Sequence, residues 1–315
     1  MEPTTHHTML RRTLAAASIA ATAISLTAGT ASAAQGRTAA AADTSWAHTA
    51  SGQIVSVTPT HGVTPLHPQA ITHPQLDFMG STIAAHDRAA AAPRAASQAV
   101  KPLAVPQLPG IDISAYQGDI TWSSIASKLD FVYAKAAEGT YYTNPDFTNQ
   151  YEGPYDAGLI RGSYEFANPA DATGTADADY FIAHGGGWSG DGKTLPGALD
   201  IEYDPYSSNE CYSLTQSQMV TWVKAFVTEY AAKEHVYPVI YSTTDWWSTC
   251  TGNSSAFSSL DPLWIANYSA SGGGTLPNGW GFYTFWQYAD SGSLPGDQDV
   301  FNGAKTQLQT LATKG

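Results

Sequence analysis

Positive charge is scarce in this sequence, which excludes several classes of partner. The 315 residues include 14 lysines and arginines against 27 aspartates and glutamates, for a formal net charge of −13. The imbalance lies in the last two thirds of the chain, since residues 110–315 carry 8 basic and 23 acidic side chains. A domain with this charge repels phosphate backbones and anionic surfaces. We therefore expect neither nucleic acid nor a membrane as its partner.

Aromatic residues are nearly absent from the first third of the chain. Residues 1–109 contain only Trp46 and Phe78 of the 36 aromatic side chains in the sequence. A tract so poor in large apolar side chains cannot build much of a hydrophobic core. We therefore expect a single folded domain at 108–315, preceded at 34–107 by a disordered, low-complexity segment. That segment is a propeptide, a wall-spanning spacer or a tail, and its composition does not distinguish these three.

Cysteine and histidine are also rare, which limits the available chemistry. In an exported protein, the two cysteines, Cys211 and Cys250, are best explained as a disulfide. Only His184 and His235 fall within the expected domain. That is too few for a typical zinc site, and it argues against a Ser-His-Asp or Cys-His mechanism. We therefore expect no metal and no cofactor.

Long apolar runs are missing except at the extreme N-terminus. Arg11 and Arg12 precede an apolar run from Thr13 to Thr27, and Ala31-Ser32-Ala33 provides a small-residue cleavage site. This pattern is typical of an export signal, here at 1–33, and the run is too short to span a bilayer comfortably. We expect a secreted, extracellular protein, exported by the general or the twin-arginine route.

The rest of the chain alternates strand-like and helix-like segments, which favours a β/α barrel. Strands are predicted at 110–114, 131–136, 160–167, 195–204, 237–242, 263–268, 283–288 and 298–301. Helices are predicted at 119–129, 146–157, 173–184, 215–234 and 304–311. The helix at 215–234 has an apolar stripe from Met219 to Tyr230 and a capping box at Thr215, with Ser213 as the alternative cap. The fold class is therefore α/β, an irregular barrel of the TIM type.

Two carboxylates lie two residues apart at the end of the fourth predicted strand. Side chains alternate between faces along a strand, so Asp200 and Glu202 point the same way and Ile201 the opposite way. Crowded acids repel when both are ionised, which raises one pKa and makes that acid a proton donor near neutral pH. Strand ends meet at one mouth of such a barrel, where Asp112 and Asp299 would join this pair. The four acids together suit cleavage of a glycosidic bond, although Asp112 and Asp299 could instead be turn or cap residues.

A series of motifs spans residues 110–303. In order, they are Gly110-Ile111-Asp112-Ile113-Ser114, Tyr116-Gln117-Gly118, Ala134-Lys135-Ala136-Ala137-Glu138-Gly139-Thr140, Arg161-Gly162-Ser163-Tyr164, Leu199-Asp200-Ile201-Glu202, Pro262-Leu263-Trp264-Ile265-Ala266, Phe285-Trp286-Gln287-Tyr288 and Asp299 before Phe301-Asn302-Gly303. The series resembles family 25 of the glycoside hydrolases, the Ch-type lysozymes or N-acetylmuramidases. The resemblance implies an incomplete, flattened β/α barrel that cleaves the β-1,4 bond between N-acetylmuramic acid and N-acetylglucosamine. We therefore expect bacterial peptidoglycan as the partner of a monomeric enzyme.

The resemblance also implies roles for the acids. Glu202 would be the general acid and Asp200 its partner, with Asp112 and Asp299 as supporting acids. Asp297 lies two residues before Asp299, but the Phe-Asn-Gly that follows favours Asp299. Members of the family also share a disulfide in the region of the two cysteines.

Aromatic side chains near the strand ends are candidates for stacking on sugar rings. They are Tyr116, Tyr164, Tyr203, Tyr241, Trp264, Tyr268, Trp286 and Tyr288, of which Tyr203 and Tyr241 are expected in the groove. The chain departs from the family at Glu165, where members often have histidine. Strand alternation predicts that Glu165 faces away from the mouth.

Two other functions use a similar strand. A chitinase-like barrel also has a D-x-E motif, but Gly197 and Ala198 stand where the longer acidic motif of those enzymes would continue. A non-catalytic wall-binding lectin on this scaffold would require the loss of an acid, and all four are present. We therefore favour a lysozyme.

Overall fold

The structure, a computed structural model, describes residues 45–48, 54–57, 77–90, 105–268 and 272–315. The predicted export signal at 1–33 lies outside these residues. Within 34–107, the described parts include an antiparallel strand pair, β1 (Ser45–His48) with β2 (Ile54–Val57), and a helix, α1 (Ile83–Ala90). Among the described residues, no helix combines the length and apolar character needed to cross a bilayer.

In the described part of the chain, eight strands close into a barrel with helices outside it. The barrel strands are β3 (Gln107–Ile113), β4 (Phe131–Glu138), β6 (Ile160–Phe166), β7 (Ala198–Asp200), β8 (Val239–Ser242), β9 (Leu263–Ala266), β10 (Phe285–Ala289) and β11 (Asp297–Asn302). The short β5 (Tyr142–Thr143) pairs with β4. The helices are α2 (Phe147–Asp156), α3 (Gly174–Ala183), α4 (Gln216–Glu234), α5 (Thr244–Thr251) and α6 (Lys305–Lys314).

The sheet is mixed rather than wholly parallel. From β3 through β4 and β6 to β10, neighbouring strands run parallel, whereas β11 runs antiparallel between β10 and β3 and closes the barrel. Since β11 runs the opposite way, its first residue, Asp297, pairs with Asp112 near the end of β3. The irregular α/β barrel expected from the sequence is confirmed, and the reversed last strand brings the N-terminal end of β11 to the mouth.

Aromatic side chains fill the interior of the barrel, and glycines in the strands leave room for them. A Cβ on Gly110 would lie 2.3 Å from the ring of Phe131, and one on Gly162 would lie 2.3 Å from the ring of Tyr133. Outside the strands, a second apolar cluster packs them against the helices. The two clusters follow strand alternation, with one face to the barrel axis and the other to the helices.

Most predicted helices form, and their caps follow the sequence. The helix α4 begins with Thr215 as its cap, and the Thr215 hydroxyl and the Gln218 side chain make reciprocal capping bonds. The rival cap, Ser213, lies outside the helix with a φ of 59°. The predicted apolar stripe of α4 is buried from Met219 to Tyr230.

The helix predicted at 119–129 is wrong. That stretch has two short 3-10 turns, Trp122–Ser124 and Ala126–Lys128, because local and tertiary hydrogen bonds compete with a regular helix. The Ser124 hydroxyl donates to the carbonyl of Thr121 at 2.7 Å. The Trp122 indole N–H donates to the carbonyl of Asn149 in α2 at 2.8 Å. The helix α5 was not predicted, since eight residues are too few for clear periodicity.

The two cysteines form a disulfide, as expected from their number. Cys211 lies before α4 and Cys250 in α5, and their Cα atoms are 5.3 Å apart. The bond ties the loop after β7 to α5. By the chain-entropy argument, a closed loop of this size contributes on the order of 2–4 kcal/mol.

Candidate active site

The acidic pair lies where the sequence places it, at the end of β7. Asp200 is the last residue of that strand and pairs with Phe166 on one side and Tyr241 on the other. The next residue, Ile201, is buried in the outer cluster. Asp200 and Glu202 interact electrostatically, and both are fully buried. The alternation therefore continues one step past the strand and brings both carboxyls to the mouth of the barrel.

Glu202 accepts hydrogen bonds from residues that precede the barrel in the sequence. The amide of Gly80 donates to its Oε1 at 2.6 Å, and the amide of Thr82 donates to its Oε2 at 3.3 Å. The hydroxyl of Thr82 also donates to Oε2. Burial raises the pKa of Glu202 to about 7, although these three hydrogen bonds act in the opposite direction. A carboxyl with this pKa keeps its proton into the range in which a general acid operates.

Asp200 has fewer hydrogen-bond donors around it than Glu202 has. Among the described residues, it accepts no hydrogen bond from an amide, hydroxyl or cation, and its carboxyl interacts with that of Glu202. Burial, followed by the charges of Glu202 and Asp112, raises the pKa of Asp200 well above its ordinary value. The pair therefore retains a proton near neutral pH, as two crowded carboxyls must.

Gln287 on β10 joins the acids of β3 and β11. Its Nε2 donates to Asp112 Oδ2 at 2.7 Å and lies 3.1 Å from Asp297 Oδ2. Its Oε1 accepts hydrogen bonds from the hydroxyls of Tyr241 at 2.6 Å and Tyr268 at 2.7 Å. These contacts fix the amide orientation, with the nitrogen towards the acids. Gln287 therefore holds two carboxyls in place, one on each of the paired strands β3 and β11.

Asp112 and Asp297 both interact with Glu202 across the mouth. Burial raises the pKa of Asp112 to about 7, the hydrogen bond from Gln287 lowers it, and the charge of Glu202 raises it. Burial, followed by the charge of Asp112, raises the pKa of Asp297 well above its ordinary value, with a further contribution from Glu202. Three elements distant in the sequence thus bring their carboxyls to one place, as expected for Asp112, Asp200 and Glu202.

Asp299 lies one layer deeper than Asp297. It pairs with Gly110 of β3 rather than with Asp112, and its Oδ1 accepts from the Trp264 indole N–H at 3.1 Å. Burial, followed by the charge of Asp112, raises the pKa of Asp299 well above its ordinary value. The sequence favoured Asp299 as the fourth acid, whereas the register of β11 also brings Asp297 to the mouth.

A buried ion pair lies beside the acids on β4. Lys135 Nζ is 2.7 Å from Glu138 Oε2, and the two residues are three positions apart, a spacing that regular alternation would place on opposite faces. The pairing of β4 with β6 skips one residue between Lys135 and Ala137, and this bulge brings both side chains to the same side. The hydroxyls of Tyr141 and Tyr206 also donate to Glu138 Oε1, at 2.6 and 2.8 Å.

The aromatic candidates divide into three groups. The first, here called the rim group, comprises the exposed Tyr116, the partly buried Tyr268, and Tyr203, which is buried with the ring of His86 stacked on it. Tyr164, Tyr241 and Trp264 are fully buried within the barrel, where their polar atoms meet Met79, Gln287 and Asp299. Trp286 and Tyr288 lie on the far side of β10 from Gln287, and the Trp286 indole N–H donates to the carbonyl of Asn267. The rim group therefore offers rings to a sugar, and the interior group supports the acids.

Sequence reasoning missed Gln287, Lys135 and Glu138 as parts of the site. Gln287 alternates with the buried Phe285 along β10, which was the available signal that it faces inward. No comparable signal existed for Glu138, because its orientation depends on the bulge. Glu165 is outside the site, as alternation predicted: it interacts with Asp177 of α3 on the outer face of β6.

Comparison with known proteins agrees with this geometry. The family model of the Glycosyl hydrolases family 25 matches residues 111–297. An N,O-diacetylmuramidase of a Chalaropsis species is 49% identical over 208 residues, which are 65% of this chain and 98% of that protein. Lysozyme M1 of Streptomyces globisporus is 46% identical over 209 residues, covering 64% of this chain and 70% of that one.

Solved structures give the same result. A muramidase from Acremonium alcalophilum has a TM-score of 0.64 at 52% identity, covering 66% of this chain and 100% of that one. A lysozyme from Streptomyces coelicolor has a TM-score of 0.64 at 44% identity, covering 66% and 98%. An acidic mouth on a β/α barrel and these matches together define a glycoside hydrolase. The chain belongs to family 25 of the glycosyl hydrolases.

Proposed function

We propose that this chain is a secreted muramidase that hydrolyses the β-1,4 bond between N-acetylmuramic acid and N-acetylglucosamine in peptidoglycan. The observation that carries the proposal is the buried pair of Asp200 and Glu202, faced by Asp112 and Asp297 at the mouth of the barrel. The relatives named as muramidases and lysozymes support the substrate class. The N-terminal pattern at 1–33 supports export.

In this proposal Glu202 is the general acid. The neighbouring acids Asp112, Asp200 and Asp297 favour its protonated form, and its proton passes to the glycosidic oxygen as the bond from this oxygen to the anomeric carbon breaks. Asp200 orients the nucleophile, which is either the carbonyl oxygen of the 2-acetamido group of the muramic acid or a water molecule. The Asp200–Glu202 pair keeps one negative charge when it shares one proton; in this scheme the proton is on Glu202 and the charge on Asp200, where it balances the positive charge that develops at the sugar.

Asp112 and Asp297 have supporting roles in this scheme. Held by Gln287, they keep the mouth acidic and so favour protonation of the Asp200–Glu202 pair. Asp299 supports Asp112 from the layer below. Tyr116, Tyr203 and Tyr268 at the rim are the proposed sugar contacts.

The test is clearing of purified bacterial wall by the fragment 105–315, since the part of this chain that matches the muramidase from Acremonium alcalophilum covers the whole of that protein. Glu202→Gln keeps the shape of the side chain and removes the proton, and it should slow clearing by about 10²–10⁴-fold. Glu229→Gln on the surface of α4 is the matched control and should clear at the native rate. A native fragment that never clears wall, or a Glu202→Gln variant that clears it at the native rate, would refute the proposal.

The products test the bond and the route separately. Reduction of the new ends should label muramic acid, and label on glucosamine would identify a different bond. Retention of the anomeric configuration in the first product indicates attack by the acetamido group, and inversion indicates direct attack by water.

A further inference from the structure

Residues 77–86, here called the docked segment, precede the barrel in the sequence and lie across its mouth. Their backbone makes polar contacts with the acids and their neighbours. Two amides and a hydroxyl, from Gly80 and Thr82, occupy both oxygens of Glu202. These are the oxygens that would face a glycosidic oxygen in the proposed mechanism, and Glu202 is fully buried. A sugar chain cannot reach Glu202 while this contact exists.

The backbone around Met79 fits the floor of the mouth closely. The Met79 amide donates to the Tyr164 hydroxyl at 3.1 Å, and the Met79 carbonyl lies 3.3 Å from Gln287 Nε2. Gly80 has a φ of +86°, and a Cβ built on it would lie 2.4 Å from the Tyr268 hydroxyl and 2.7 Å from Gln287 Oε1. Only glycine satisfies both the backbone conformation and the available space.

The rings of the docked segment occupy the aromatic rim. Phe78 stacks on Tyr116, with ring centroids 5.5 Å apart and planes at 5°. His86 stacks on Tyr203, with centroids 3.7 Å apart and planes at 5°. Two of the rings proposed to contact sugar are thus covered by flat side chains from the same chain, as a pyranose would cover them.

Asp77 anchors the start of the segment in the buried charge network. Lys135 lies 3.6 Å from its Oδ1 and the hydroxyl of Tyr206 lies 3.1 Å from its Oδ2, while Lys135 is closer to Glu138, at 2.7 Å. Among the described residues, Tyr142 is a further titratable group that interacts with it. Burial raises the pKa of Asp77 to about 7; Lys135 lowers this pKa and Glu138 raises it. Docking therefore favours the protonated form of Asp77.

We propose that the docked segment is an autoinhibitory element, which occupies the glycan-binding mouth so that the full chain is a low-activity precursor. The inference rests on the muramidase proposal, because it takes this mouth to be the substrate site. It also assigns a role to the low-complexity region, which acts as a propeptide rather than as a spacer or tail. Release of the segment from the mouth, or its removal, would expose Glu202 and the rim rings.

The experiment compares wall clearing by four proteins: the fragment 105–315, the full chain, and the full chain with Gly80→Leu or Ala85→Leu. Gly80→Leu forces a side chain against Tyr268 and Gln287, whereas Ala85 is exposed on the same segment and serves as the matched control. The fragment and Gly80→Leu should clear wall at equal rates, at least about tenfold faster than the full chain, since the active fraction scales the rate. Ala85→Leu should be as slow as the full chain.

A full chain that clears wall as fast as the fragment would overturn the autoinhibition proposal and leave the muramidase proposal standing. A fragment that clears nothing would overturn the muramidase proposal instead. Amide hydrogen exchange provides a measurement that does not depend on activity. The amides of Gly80 and Thr82 should exchange slowly in the full chain and quickly in Gly80→Leu, and fast exchange of both in the unaltered chain would refute docking.

Discussion

A buried pair of acids on the outside of the barrel gives a quantitative prediction about stability. Glu165 of β6 and Asp177 of α3 are both fully buried, and their carboxyls interact with each other and with few other polar groups; Asp177 also interacts with the backbone amide of Asn168. Burial raises both pKa values well above the ordinary 4.5 and 3.8; the charge of Asp177 raises the pKa of Glu165 further, whereas the hydrogen bond with Glu165 lowers the pKa of Asp177. Glu138 and Lys135 are the nearby charges that also act on Glu165. The folded protein therefore holds protons here that the unfolded chain releases.

The sign of the pH dependence follows from this difference. Because both pKa values are raised in the folded state, the contribution of this pair to the free energy of unfolding is greatest below about pH 4, where the unfolded chain is protonated as well. The free energy of unfolding falls as the pH rises above that value. For each proton that the folded protein keeps and the unfolded chain has released, the free energy of unfolding falls by about 1.4 kcal/mol per pH unit. For a domain of this size, about 1.4 kcal/mol corresponds to a fall in Tm of roughly 3–6 °C.

Glu165→Gln tests this reasoning. The amide has the shape of the acid, needs no proton and can donate to an ionised Asp177, so the variant should gain stability above neutral pH and lose stability with pH less steeply. Urea unfolding of the fragment 105–315 at pH 6 and 8 measures both effects, and Asp119→Asn, an exposed acid, is the control. Wall clearing should be retained, since Glu165 faces away from the mouth. Equal slopes for Glu165→Gln and the native fragment would refute the reasoning.

Three further predictions follow from the site and its surroundings. Asp297→Asn should lower kcat/KM for wall clearing by at least about tenfold. Asp299→Asn keeps an acceptor for the Trp264 indole N–H, so its kcat/KM should stay within a few-fold of the native value. The reverse order would favour Asp299 as the fourth acid. Inhibition in the full chain should be stronger at pH 5 than at pH 8, because docking favours protonated Asp77, and it should weaken by up to about tenfold per pH unit until about pH 7. Asp77→Asn should reduce this dependence, measured as the ratio of fragment to full-chain rates. Replacing both Cys211 and Cys250 with serine should lower the unfolding free energy of the fragment by about 2–4 kcal/mol, measured in urea, and an unchanged value would contradict the stabilising role of the disulfide.

The alternation of side chains in a strand made the central pair predictable. Asp200 and Glu202 had to share a face whatever the surroundings, and Ile201 had to face the other way. The helix α4 was equally predictable, because a long apolar stripe and a capping box agree on its limits. Local rules of this kind depend only on neighbours along the chain.

Contacts between distant parts of the chain decided the rest. The antiparallel return of β11 determined that Asp297 pairs with Asp112 and that Asp299 lies deeper, whereas the Phe-Asn-Gly that follows in the sequence had favoured Asp299. The bulge in β4, which turns Glu138 towards Lys135, is likewise a property of strand pairing.

The docked segment shows most clearly how local structure can depend on tertiary contacts. The composition of 34–107 predicted no core, and an isolated segment of that kind has too little apolar surface to order itself. Residues 77–86 become ordered because the barrel supplies carboxylate acceptors, flat rings and a close-fitting floor, none of which lies near them in the sequence. The sequence alone determined the chemistry of the acids and the class of fold, because both follow from local pattern. Only the tertiary structure decided which acids meet and what covers them, because those contacts join residues up to about two hundred positions apart.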